Sequence, residues 1–232
     1  MIIVSHRGID KFKKTSFVSA LENNFGVEFD LNFTYPNQIY VSHNNNFNPH
    51  HTLKLTTLLS LLKKYTFPLS AIHFKGQWQN TQNIDLFIRI IKKYKKYKNS
   101  FIVFDLLIDS AKYIKNKLPW INLAPSIVLK KDQKKFNHLC HNSLYTLKEI
   151  IPHKSLFSWV WLDEWHSNLY TPKTFKTIRS LGLKIGLVTP ELHLNENHPD
   201  SHHTKLFNKI RQILELKPDI VCTNFPSKSI AL

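Results

Sequence analysis

Short apolar, β-branched runs alternate with amphipathic stretches from one end of the chain to the other. The runs at 2–5, 27–31, 69–74, 101–106, 126–129, 158–162, 184–188 and 219–223 predict strands, with a further extended piece at 39–42. Helical spacing predicts helices over 16–23, 53–65, 84–96, 110–117, 143–150, 172–180 and 203–216. Phe17, Ala20 and Leu21 form one stripe, and Ile84, Phe87, Ile88 and Ile91 form another. Gly182 is placed as the C-cap of the 172–180 helix. Eight strand–helix units in 232 residues, about 29 residues apiece, match the scale of a (β/α)8 TIM barrel. The expectation is an α/β protein with one barrel domain over 1–232 and no helix after the last strand.

Composition supports a full core, with 42% apolar and 12% aromatic residues. No apolar run reaches the ~18 residues of a membrane span, and the first strand begins at the second residue with no leader-like segment before it. Cys140 and Cys222 read as two buried thiols of a reducing, cytoplasmic compartment. The formal net charge of +16 favours anionic ligands. Its lysines are scattered, and the densest run, residues 92–98, closes a predicted helix, where cations complement the helix dipole. That favours a small phosphorylated substrate, with at most weak contact to an anionic membrane surface, over nucleic acid. No nucleotide-binding fingerprint is present.

Polar residues cluster at the ends of the predicted strands, where a parallel barrel displays its chemistry. His6 and Arg7 follow the first strand, and Gly8 allows a tight turn after them. Glu28 and Asp30 lie two apart on the second strand, so both face the barrel mouth. Two such carboxylates need positive charge between them, either a hard cation or an ion pair with Arg7 or Lys75. His43 ends the 39–42 piece, and His73 and Lys75 end the third strand. Two histidines suit an acid–base pair, and Arg7 and Lys75 suit a phosphate. Asp105, Asp163, Glu164 and Glu191 are further strand-end acids. His193, His198, His202 and His203 follow the seventh strand with no standard ligand spacing.

This ordered set resembles the glycerophosphodiester phosphodiesterase family. The resemblance rests on His6-Arg7-Gly8, Ala20-Leu21-Glu22-Asn23, Glu28-Phe29-Asp30, Ser42-His43, Lys75 and Thr223-Asn224-Phe225-Pro226. It implies a TIM barrel of the phospholipase-C-like type that releases glycerol 3-phosphate and an alcohol, a step of lipid metabolism. By motif match, His6 and His43 are the acid–base pair, Arg7 and Lys75 bind phosphate, and Glu28 and Asp30 hold Mg²⁺ or Ca²⁺. The chain departs from the family where Glu-x-Lys becomes His73-Phe74-Lys75 and where His-Asp becomes His43-Asn44. An imidazole ligand at His73 turns the preference toward Mn²⁺ or Zn²⁺. The insertion common after the second histidine is missing, and the aromatic after the seventh strand is replaced by Thr189-Pro190-Glu191. Two rival readings remain open. One is a non-catalytic phosphate-binding barrel with no metal affinity. The other is a related phosphodiesterase acting on phospholipid head groups or a phosphate-linked polymer.

Overall fold

The computed structural model describes residues 1–9, 14–166, 168–196 and 203–230. Strands β1 (Ile2–Ser5), β2 (Gly26–Asn32), β4 (Ser70–His73), β5 (Phe101–Phe104), β6 (Asn122–Ala124), β7 (Ser126–Ile127), β9 (Trp159–Leu162), β10 (Lys184–Val188) and β11 (Ile220–Thr223) all run parallel. β6 pairs with β5 and β7 with β9. Pro125 divides the two pieces and still accepts a hydrogen bond from Trp161 N at 3.0 Å, so the segment joins both neighbours. The result is the (β/α)8 TIM barrel read from the sequence. Among the described residues two short strands lie outside the ring. β3 (Tyr40–Val41) runs antiparallel to β2. β8 (Leu144–Tyr145) pairs with β7 at the level above Phe104, where β5 has ended.

The wrapping helices are α1 (Lys14–Glu22), α2 (Leu55–Lys64), α3 (Thr81–Ile91), α4 (Ile108–Lys117), α5 (Lys130–Phe136), α6 (Leu147–Ile150), α7 (Pro172–Ser180), α8 (His203–Glu215) and α9 (Pro226–Ile230). α7 shows how local chemistry sets its bounds. Thr171 accepts from Thr174 N at 3.1 Å, Pro172 opens the first turn, and Gly182 (φ 78°) donates to Arg179 O at 2.9 Å to close it. Other readings need correction. The lysine run after Ile91 forms 3-10 turns, not the end of an α-helix. The 143–150 segment is β8 followed by α6, and a short α9 does follow the last strand. α5 carries no apolar stripe. Its buried face includes Asp132, held by His166 at 2.7 Å, and Gln133, which donates to Leu144 O at 2.9 Å. Cys140 is half-buried and Cys222 is buried. Among the described residues no helix is long and apolar enough to cross a membrane.

Two apolar layers follow from strand alternation. Val27, Phe29 and Leu31 point outward to the helices. Val4, Ala71, Ile102, Phe104, Ala124, Trp159, Trp161 and Cys222 fill the lumen. Trp161 stacks on Phe104 at 4.3 Å, and Phe104 stacks on His73 at 4.8 Å. Gly186 makes room for this column, because a Cβ there would lie 2.7 Å from Trp161 Cε3. Gly186→Ala is therefore expected to displace the indole and cost about 1–3 kcal/mol as an overpacking change. Chemical denaturation followed by tryptophan fluorescence measures both effects, and an unshifted spectrum with unchanged stability would contradict them.

Candidate active site

The strand ends bring seven sequence-selected side chains to one face of the barrel. His6 and Arg7 leave β1, Glu28 and Asp30 stand on β2, His43 follows β3, His73 closes β4, and Lys75 lies two residues beyond. Register fixes their order: Asp30 is opposite His73, and His73 is opposite Phe104. All of them except the fully buried Asp30 line one wall of a cavity of about 480 Å³.

Asp30 is the hub. It is fully buried, and its Oδ1 meets His73 Nδ1 at 2.8 Å, His43 Nδ1 at 3.3 Å and Lys75 Nζ at 3.5 Å. Among the described residues its Oδ2 accepts no hydrogen bond, and it faces Arg7 Nε at 3.3 Å. Burial pushes the Asp30 carboxyl up, but contact with His43 and His73 and the charges of His73 and Lys75 hold it well below the usual carboxylate range. Glu28 goes the other way. Burial, then the adjacent Asp30 charge, raises it to about 7. Arg7 takes a left-handed φ of 51°, which aims its N–H at Glu28 Oε2 at 3.2 Å. A non-glycine residue held there is a strained backbone position of the kind found at ligand sites.

The two proposed acid–base histidines have different surroundings. His6 Nδ1 donates to Asn224 Oδ1 at 2.8 Å, leaving its Nε2 lone pair 3.7 Å from Glu28. Burial, then Arg7, lowers His6 to about 4, so the ring is neutral near pH 7. At His43, Nδ1 meets an Arg7 terminal nitrogen at 2.5 Å and Lys75 Nζ at 3.1 Å, both closer than Asp30. Two cationic donors converging on one ring nitrogen require it to be the acceptor, which leaves the proton on Nε2. Asp30 pulls the His43 pKa up, but burial together with Arg7 and Lys75 leaves it below its ordinary value. Lys75 also donates to His43 O at 2.7 Å, which fixes the loop.

His73 lies between two carboxylates, Asp30 at Nδ1 and Asp105 at Nε2 (3.0 Å). Burial lowers it, but Asp105 and Asp30 outweigh burial and raise it to about 10. Glu28, Asp30 and His73 each offer one ligand atom, all within 4.8 Å of one another.

The remaining strand-end acids serve as supports. Glu191 Oε1 accepts from Thr189 Oγ1 at 2.5 Å, Thr223 Oγ1 at 2.6 Å and Asn224 N at 3.0 Å, so it anchors the residue that orients His6. Glu164 clamps the Leu169 and Tyr170 amides at 2.6 and 2.9 Å, and Asp163 pairs with His193 at 2.5 Å. His193 stacks on Trp165, which stacks on Phe136, and these rings with Leu192 form the apolar wall facing the charged cluster. Histidines 198 and 202 lie outside the described residues; His203 begins α8. Asn224, quoted from sequence only as part of a motif, gains a contact role from the first and last strands being neighbours. Ser143 and Gln79, which brace Asp105, carry no signal in the sequence.

No protein-family model and no curated protein matches the sequence. Solved structures do match in fold. A protein of Silicibacter pomeroyi DSS-3 assigned as a glycerophosphoryl diester phosphodiesterase aligns at TM-score 0.73 and 13% identity, over 99% of this chain and 91% of its own. A glycerophosphodiester phosphodiesterase of Parabacteroides distasonis aligns at 0.68 and 16% identity, over 99% and 95%. A phosphodiesterase of Oleispira antarctica, solved with the product sn-glycerol 3-phosphate, aligns at 0.67 and 11% identity, over 100% and 96%. The chain has the fold of the glycerophosphodiester phosphodiesterases, as a divergent version of it.

Proposed function

We propose that this protein is a phosphodiester hydrolase that cleaves glycerophosphodiester-like small molecules into glycerol 3-phosphate and an alcohol. The observation that carries the reading is the pair of histidines whose hydrogen-bond partners assign them opposite neutral tautomers within one cationic pocket. His6 presents a bare Nε2, and His43 presents an Nε2–H. A phosphate oxygen drawn to Arg7 and Lys75 would sit between a base and an acid. His6 Nε2 removes a proton from water, or from a glycerol hydroxyl beside the ester, and the freed oxygen attacks phosphorus. The bond from phosphorus to the alcohol oxygen breaks, and His43 Nε2–H protonates that oxygen while Lys75, 3.1 Å away, passes a proton to Nδ1, so that the ring stays neutral. Attack by the neighbouring hydroxyl gives a cyclic phosphate, which water opens with the proton roles reversed. Arg7 and Lys75 are placed to stabilise the growing charge on phosphate.

The donor set fits a divalent cation. Glu28 and Asp30 supply hard oxygens, and burial and mutual repulsion raise Glu28 in the absence of a cation between them. His73 adds a nitrogen, for which Nδ1 must shed its proton. The oxygen pair suits Mg²⁺ or Ca²⁺, and the added nitrogen favours Mn²⁺ or Zn²⁺. A bound ion would supply Lewis-acid neutralisation of phosphate oxygens.

The test is release of glycerol 3-phosphate from glycerophosphodiesters of several alcohols, each assayed with Mg²⁺, Ca²⁺, Mn²⁺ and Zn²⁺. Activity with at least one ion, removed by chelation and restored by that ion, is the expected result. Tight binding of glycerol 3-phosphate with no turnover under any ion would favour the non-catalytic binding protein.

A further inference from the structure

Resting on the metal reading above, we propose that Asp105, braced by Ser143, is the positioning residue of the cation site. In this role it holds His73 by Nε2 so that Nδ1 faces Glu28 and Asp30, and it returns at one remove the carboxylate that His73 displaces. Asp105 Oδ2 meets His73 Nε2 at 3.0 Å, while Oδ1 accepts from Ser143 Oγ at 2.8 Å. Both residues are buried. The ring is further confined by its stacking on Phe104, so rotation about its own axis is the freedom that the Asp105 contact removes.

The backbone is built for this contact. Asp105 holds a left-handed φ of 67°, which directs a residue just past the end of β5 across toward β4. Gln79 secures the turn, since its Nε2 donates to Asp105 O at 2.8 Å and to Phe74 O at 2.6 Å, and its Oε1 accepts from Leu107 N at 2.8 Å. Ser143 arrives there because β8 takes the place beside β7 that β5 does not reach. A strained, doubly braced carboxylate on the outer nitrogen of a histidine is how proteins fix a ring for ligation, and such partners typically contribute about 10–100-fold in metal affinity.

The experiment measures Mn²⁺ affinity of the full chain by calorimetry and by the electron paramagnetic resonance of free Mn²⁺. Four proteins are compared: wild type, Asp105→Asn, His73→Glu and the double variant. Asparagine keeps the shape of Asp105 and tolerates its left-handed φ. Asp105→Asn is expected to weaken Mn²⁺ binding about 10–100-fold in the wild-type background. In the His73→Glu background the same change should leave binding unchanged or strengthen it, because a glutamate needs no imidazole partner and is repelled by Asp105. Ser143→Ala provides a second route, with a smaller loss in the same direction. Equal losses in both backgrounds would make Asp105 a scaffold residue and overturn the proposal while leaving the metal reading intact. Binding unaffected by Asp105→Asn would overturn it too. A wild type that takes up no Mn²⁺ would overturn both.

Discussion

Asp30→Ala is expected to destabilise the protein by about 3–5 kcal/mol, the largest loss from any single change at the barrel mouth. Asp30 is fully buried and shared by Arg7, His43, His73 and Lys75. Removing it leaves several positive groups in a poorly solvated pocket without their common counter-charge. Such a pocket can respond only by releasing protons, admitting water or opening. Asp30→Asn keeps the volume and separates charge loss from cavity formation. Urea denaturation in chelating buffer measures both, and a loss below about 1 kcal/mol for the alanine variant would show that Asp30 is not the hub.

The pH dependence gives the same hypothesis a second test. The folded Asp30 carboxyl lies below its ordinary 3.8, so its contribution is present above that value and fades as pH falls through the folded pKa. His73 is raised from 6.5 to about 10, so its contribution is complete below 6.5 and fades as pH rises through about 10. The two contributions together are complete between about pH 4 and 6.5. Asp30→Asn should flatten the acid side of that window in chelating buffer. An unchanged acid limb would contradict the assignment.

The parts of this fold that could be read from sequence are those where burial and periodicity coincide. β1 is a short β-branched apolar run, α7 spaces its apolar residues at about 3.6, and Thr171, Pro172 and Gly182 punctuate α7. α5 escaped because Asp132 and Gln133 are buried through hydrogen bonds, which leave no hydrophobic stripe. The metal-candidate group was legible because residues two apart on a strand share a face and parallel register aligns strand ends. The structure does not bring the other strand-end acids into that group. Asp105 meets His73, Asp163 meets His193, and Glu191 meets the last strand. Those partnerships depend on loop paths and on which strands end first. Sequence spacing records neither.

His6→Ala and His43→Ala are each expected to lower turnover of a glycerophosphodiester about 10²–10⁴-fold, with the folded state retained. Their response to leaving group should differ. His43 is the acid in the proposed first step, because Arg7 and Lys75 occupy its Nδ1 and leave the proton on Nε2. A nitrophenyl ester leaves without protonation, so His43→Ala should recover most of its loss on that substrate. His6 is the base of that proposal, with Asn224 at its Nδ1 leaving Nε2 as the acceptor. Its role precedes departure of the alcohol, so His6→Ala should remain slow on both substrates. Asn224→Asp adds a charge beside Nδ1 and should raise the pH at which the His6 limb of the rate profile falls. That shift has a definite sign, because a nearby anion favours imidazolium and so reduces the fraction of neutral base at a given pH. Equal recovery of both alanine variants on the activated ester would remove the distinction between base and acid. Recovery of His6→Ala alone would exchange the two roles, with the cation-facing nitrogen of His43 then taking the proton.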